Sequence, residues 1–286
     1  MPRPPIDLRS KIKEIPKHIS ALPVEATSPK RHYEKFTNDT WNLLLYFERN
    51  LKRVETYEAV AERHLGRLMS MMLLSLVEGF ERYLKETAAF CIDQVGGYIV
   101  DDRLEEFKLN GGAFANHFLA GGTLGKSLCE SSTWVNCKQI NDRFRAILAD
   151  PSVKGNFYVF PDDKTQIPAT LRGLQDSINI LWQLRHSIVH NASVLTLSDA
   201  RKLRLLTKGP LIAPGVLVPT RDDIRYVKRF LDETVDLINR EVAARLAVLL
   251  TTLHASDSGL FDPAIQAQVV ADTFGLSITV AGVTRP

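Results

Sequence analysis

The chain has 286 residues, enough for one large or two small domains with a sizeable buried core. Its composition, 45% hydrophobic and 24% charged, is that of an ordinary globular protein and excludes the compositionally biased classes. A net charge of +3 permits an anionic partner without demanding one. The three cysteines, Cys91, Cys129 and Cys137, cannot all pair and lack the clustered spacing of a zinc site. They are expected as reduced, buried thiols in a cytosolic protein. No apolar segment resembles a signal peptide or reaches membrane-spanning length, so a cytoplasmic location is expected. The sequons at 38–40 and 191–193 then carry no glycosylation meaning.

Residues 1–36 are rich in proline, lysine and arginine and predict an extended N-terminal arm. Thr37-Asn-Asp-Thr40 offers helix N-caps. Leu44, Phe47, Leu51, Val54 and Tyr57 then recur at three- and four-residue steps, which predicts a helix. Gly66 either separates it from the next helix or lies inside a longer one. The second stripe runs Leu65, Leu68, Met69, Met72, Leu76, Phe80, Leu84, Ala88, Cys91 and Val95, and Gly96-Gly97 stops it. Its methionines are core residues in this reading. Glu78, Glu81 and Glu86 are expected to face solvent or to pair with Arg82 and Lys85.

Residues 98–132 are glycine-rich, with a short helix expected near Asp101–Leu109. Within this stretch Ala120-Gly-Gly-Thr-Leu-Gly-Lys-Ser127 matches a relaxed P-loop, with Ala120 in the first glycine position. In a P-loop, Lys126 would reach the outer phosphates and Ser127 would bind magnesium. That site needs a buried strand just before it, and Asn116-His-Phe-Leu119 is a poor one, so the segment is read as a flexible glycine loop.

Trp134, Cys137, Ile140, Phe144, Ile147 and Leu148 predict a further helix, and 151–168 a loop with a short apolar run, 156–160. Thr170 is expected to cap the next helix, whose core stripe is Leu171, Leu174, Ile178, Leu181, Trp182, Ile188 and Val189. A small β-hairpin is expected within 203–219. Thr220-Arg-Asp-Asp223 is a capping box. It opens a long helix with Ile224, Val227, Leu231, Val235, Ile238, Val242, Leu246, Leu249 and Leu253 buried. The tail after Ser256 is expected to add a short helix near Pro263–Phe274 and an extended end. The whole predicts an all-α bundle with a small β-hairpin insertion, divided as arm (1–36), helical domain (37–255) and tail (256–286).

The helix opened by Thr170 carries Leu181-Trp-Gln-Leu-Arg-His-Ser-Ile-Val-His-Asn191. An Arg followed by a His after four to six residues is common by chance, but Arg185 and His190 make the only such pair in the chain. They sit between apolar residues, with polar His186 directly after the arginine. These residues resemble the motif of the HEPN superfamily (higher eukaryotes and prokaryotes nucleotide-binding): an Arg, a polar neighbour, then a His, on the last long helix but one of an all-α bundle. Leu74-Ser-Leu-Val-Glu-Gly-Phe-Glu-Arg-Tyr-Leu84 is similar to the first core helix of the larger prokaryotic members. The resemblance covers roughly residues 40–255. It departs in one detail: the residue after the arginine is often Asn in the family, and here it is His186. The arm, the glycine-rich segment and the tail match no part of it.

The resemblance implies a cytoplasmic homodimer that cleaves RNA without a metal or other cofactor. It further implies a setting in prokaryotic defence or a toxin–antitoxin pair, with an antitoxin or defence protein as partner. Arg185 and His190 would be catalytic, supported by His186 and Asn191. Arginine is suited to clamp phosphate and histidine to move a proton near neutral pH. Asn191 is a candidate to hydrogen-bond the histidine or the RNA. Arg201, Lys202 and Arg204 just downstream are candidate phosphate-binding residues, or a solvated face. Residues five apart on a helix are about 140° apart around the axis, so one helix does not gather Arg185 and His190 on a narrow face. Two copies about a twofold axis would bring both pairs to one cleft. Two alternatives remain: a non-catalytic HEPN module that binds a protein or nucleotide, and an Arg–His pair that serves packing and ion pairing at a dimer interface.

Overall fold

The computed structural model describes residues 28–54, 58–98, 107, 122–130, 133–149, 157–161, 173–210 and 212–286. Helix α1 spans Pro29–Val54 and α2 spans Glu58–Val95. Gly66 lies inside α2, and a 3-10 turn, Gly96–Tyr98, ends it at the expected glycines. Residues 29–36 of the expected arm are thus helical, and residues 1–27 lie outside the described ones. Pro29 is pre-set for a helix's first position. Ser28 closes the turn before it, its carbonyl accepting from His32 N–H at 3.1 Å and its hydroxyl from Arg31 N–H at 3.4 Å. Thr37 and Thr40 are not caps but lie mid-helix. Their hydroxyls donate to the carbonyls of Tyr33 and Phe36, four residues back.

Helix α2, about 57 Å long at 1.5 Å per residue, is the hub on which much of the fold assembles. Helices α1, α3 (Leu124–Glu130), α4 (Cys137–Leu148), α5 (Leu174–His190) and α7 (Arg221–Ser256) all pack against it. The expected stripe is its buried side: Met72, Leu76, Phe80, Leu84 and Cys91 lie in one continuous core. Helix α3 approaches so closely that a Cβ on Gly125 would collide with the carbonyl oxygen of Ala89. All three cysteines are buried and unpaired, and burial pushes each thiol far up. No helix among the described residues is long and apolar enough to cross a membrane.

Asn136 caps α4, its side chain accepting from Gln139 N–H at 3.2 Å. One turn on, buried Asn141 grips the apolar segment of the loop that follows α4. It donates to Phe160 O and accepts from Phe160 N–H, both at 2.8 Å. Phe160, so fixed, meets Trp182 of α5 edge-on at 6.2 Å and Phe80 of α2 at 6.3 Å. A loop segment thus becomes the spacer that seats α5 on the hub.

Thr170 and Leu171 lie outside the described residues, as does the expected helix near Asp101–Leu109 apart from Phe107. The residue that caps α5 is Gly173, whose φ of 72° suits glycine. The expected hairpin within 203–219 takes another form. Strand β1 (Val194–Leu195) pairs antiparallel with β2 (Gly215–Val216), and helix α6 (Leu197–Thr207) fills the interval. Leu203 was an apolar residue of the expected hairpin. It is instead the buried face of α6.

Thr220 and Asp223 form the expected capping box at the start of α7. The tail forms α8 (Pro263–Phe274), and its extended end is a second hairpin, β3 (Ile278–Val280) with β4 (Val283–Arg285). It belongs to the same core as the helical domain: Val270, Phe274 and Val280 are buried there. Asn239 of α7 donates to Phe274 O at 2.8 Å, and Ala281 N–H donates to Thr251 at 3.0 Å. The chain is thus the expected mainly helical bundle with small β-elements.

Candidate functional site

Helix α5 is held by its inner residues Leu174, Ile178, Leu181 and Trp182, all buried. Its last turn runs past the core. Of residues 187–190 only Ser187 is buried, its hydroxyl donating to Gln183 O at 3.2 Å. Val189, expected as core, is 44% exposed. The motif therefore occupies a helix end that emerges at the surface.

His186 and His190 stand side by side there. Both are exposed, and their ring centroids lie 4.6 Å apart with the planes tilted by 43°. Four residues along a helix turn only about 40° around the axis, so the two imidazoles share a face. Arg185 faces elsewhere. It is half-buried against α2, with one guanidinium nitrogen 3.8 Å from Glu78 Oε1 and 3.8 Å from Glu81 Oε2. Those separations give charge attraction without a hydrogen bond. Its Nε is buried with no hydrogen-bond partner. Within one chain, Arg185 and His190 thus do not converge, as their spacing predicts.

Arg185 lines a groove of about 870 Å³ along α2 that also includes Glu78, Glu81, Arg82, Lys85 and Glu86. Glu81 pairs with Lys85 at 3.0 Å and Glu86 with Arg82 at 2.7 Å, as expected. The hold of Glu78 and Glu81 on Arg185 was not expected. They are remote in sequence from Arg185, and only the packing of α5 on α2 brings them close.

Asn191 is the C-cap of α5, its N–H donating to Ser187 O at 3.1 Å. Its side-chain amide donates to Asp199 Oδ2 at 2.9 Å, not to His190. Asp199 itself was missed in the sequence. It is buried and closes a capping box with Thr196, the same Thr-x-x-Asp pattern that marks Thr220–Asp223. Burial pushes its carboxyl up, but hydrogen bonds from the Thr196 hydroxyl and amide, with His186 nearby, outweigh that and hold it below the usual range.

On α6, Arg201, Lys202 and Arg204 are all exposed. Arg201 and Arg204 line one shallow depression with Leu205, Lys208 and Gly209, while Lys202 lies outside it. Lys208 also ties α6 to the first turn of α5 through Asp176 at 2.9 Å.

The P-loop-like segment is occupied differently. Residues 108–121 lie outside the described ones, and α3 begins at Leu124, within the pattern. Gly125 N–H, which a phosphate would need, donates to Asp93 at 2.7 Å. Ser127 is buried and donates to Thr123 O at 2.9 Å. Lys126 is exposed and 3.9 Å from Glu130.

Comparison with protein-family models, with curated proteins and with solved structures gives no match.

Proposed function

We propose that this chain is a metal-independent endoribonuclease of HEPN type that acts as a homodimer. The observation that carries the reading is the pair of exposed imidazoles, His186 and His190, 4.6 Å apart at the end of the motif helix. RNA cleavage by its own 2′-OH needs one group to take a proton and another to give one. One neutral imidazole takes the 2′-OH proton as that oxygen attacks the adjacent phosphorus. The other, protonated, delivers its proton to the departing 5′-oxygen. The products are a 2′,3′-cyclic phosphate and a 5′-OH end.

Arg185 supplies the cation for the phosphate charge that builds in the transition state. In one chain it faces the α2 groove, so the arginine that serves a given histidine pair comes from a second copy. Exposed apolar side chains around the motif support such pairing: Val189, Val194, Leu197, Val216 and Val218 are each at least 42% exposed. Arg201, Lys202 and Arg204 then bind flanking phosphates. The family resemblance adds the setting, a cytoplasmic defence or toxin–antitoxin protein with a cognate partner.

A second reading has one observation in its favour. Arg185 already has two carboxylates beside it, as a purely structural arginine in a protein-binding HEPN module would. RNA cleavage in excess EDTA separates the two. The nuclease reading expects wild-type cleavage with cyclic phosphate ends and a loss of about a hundred-fold or more in His190→Ala. Binding of a partner protein that persists in His190→Ala, with no cleavage by either protein, would favour the module.

A further inference from the structure

We infer that Asp199 is the positioning residue of this site, the group that fixes where His186 and His190 stand. The inference rests on the nuclease reading for its catalytic consequence alone. Its carboxylate, 3% exposed, accepts four hydrogen bonds. Gln183 Nε2 donates to Oδ1 at 2.9 Å, and Asn191 Nδ2 donates to Oδ2 at 2.9 Å. The Thr196 hydroxyl and amide donate to Oδ2 at 2.8 and 3.2 Å. Gln183 lies one turn before His186, and Asn191 follows His190 directly. Both flanks of the histidine-bearing segment are therefore tied to one buried anion on the next helix.

The turn between those helices needs such a tie. Ala192 and Ser193 have φ of 50° and 69°, and neither is glycine. Left-handed residues other than glycine are disfavoured because Cβ crowds the following carbonyl oxygen. They persist only where the surroundings over-determine them. Ser193 N–H reaches back to Ser187 O, and Leu217 N–H donates to Ser193 O. The side-chain lock across this elbow is Asp199.

The chain holds an internal comparison. Thr220 and Asp223 form the same capping box, with Asp223 accepting from the Thr220 amide and hydroxyl at 2.8 and 2.7 Å. There the acid is exposed and serves its own helix. A box thus needs neither a buried carboxylate nor two amide donors from another helix. Asp199 has both, and the surplus is directed at the histidine segment.

The test compares full-length Asp199→Asn with Asp223→Asn, each checked for native helical content by circular dichroism. The imidazole signals of all histidines are followed by NMR, then kcat and KM for RNA. In Asp199→Asn the signals of His186 and His190 move while that of His32 stays, and kcat falls about ten- to a hundred-fold with KM little changed. Asp223→Asn loses the same kind of cap and leaves both readouts as in wild type. Should Asp199→Asn fail to fold, Gln183→Met removes one donor while keeping the side-chain volume, and the same signals move. Unmoved His186 and His190 signals, or equal effects of the two Asp variants, overturn the inference. Signals that move in a protein whose wild type cuts no RNA leave the positioning role standing and defeat the nuclease reading.

Discussion

At Arg185 a guanidinium nitrogen stands 3.8 Å from two carboxylates, close enough for attraction and too far for a hydrogen bond. On the proposed reading that hold competes with phosphate. Glu78 is half exposed, so Glu78→Gln is expected to change stability by less than about 1 kcal/mol. It should also lower KM for RNA by freeing the guanidinium. Steady-state kinetics beside a thermal melt checks this, and an unchanged KM would mark Arg185 as structural. Asp199 gives a pH prediction. Its folded-state pKa lies below the ordinary value, so its contribution to stability is present above about pH 3.9 and is lost as pH falls through the folded value. The Tm gap between wild type and Asp199→Asn should therefore be full at neutral pH and close in strong acid. Arg185, His186, His190 and Asn191 can be singled out from the sequence alone because they lie in one short run that ends a helix. Glu78 and Glu81 cannot be, since nothing in a one-dimensional pattern says which turn of α2 meets α5. Asp199 does carry a sequence signal, since Thr196-Leu-Ser-Asp199 is the same Thr-x-x-Asp box as Thr220-Arg-Asp-Asp223.

Helices with one continuous apolar stripe were legible in order and often to the residue. The α2 stripe, the Thr220 cap and the Pro263–Phe274 helix all stand where periodicity and capping put them. Boundaries failed where local signals compete with packing. Thr37 and Thr40 look like caps but bond back along a helix that starts at Pro29, because Tyr33 and Leu44 share one buried face. The 203–219 segment reads as a hairpin from its apolar runs, broken at Gly209-Pro210 and Pro214-Gly215. The Thr196 box and the buried Leu203 make its first part the end of α6 instead. Gly125 tests the packing between elements. A methyl there meets the Ala89 backbone, which cannot yield as a side chain can. Gly125→Ala is expected to destabilise by about 1–3 kcal/mol, the usual range for overpacking. Denaturant unfolding measures it, and a neutral result would mean that α3 does not dock on α2 as described.

For the molecule as a whole, the two halves of the motif open on different surfaces: Arg185 on the α2 groove, the histidines at the end of α5. On the proposed reading a single copy presents an incomplete site, and a second copy docked on the exposed apolar residues around the α5–α6 elbow completes it. Light scattering should give a dimer for wild type. Leu197→Glu, on a side chain 52% exposed, should give a folded monomer that no longer cuts RNA. A monomeric wild type that cleaves would remove the shared-site argument. The central claim, that this helix end is an RNA-cleaving site, is tested most directly by one comparison. Wild type, His190→Ala and Arg185→Ala are incubated with RNA in excess EDTA, and the product ends are read. Cleavage by wild type alone, leaving 2′,3′-cyclic phosphate and 5′-OH ends, is the predicted result. Equal cleavage by all three proteins, or ends of another chemistry, would contradict it.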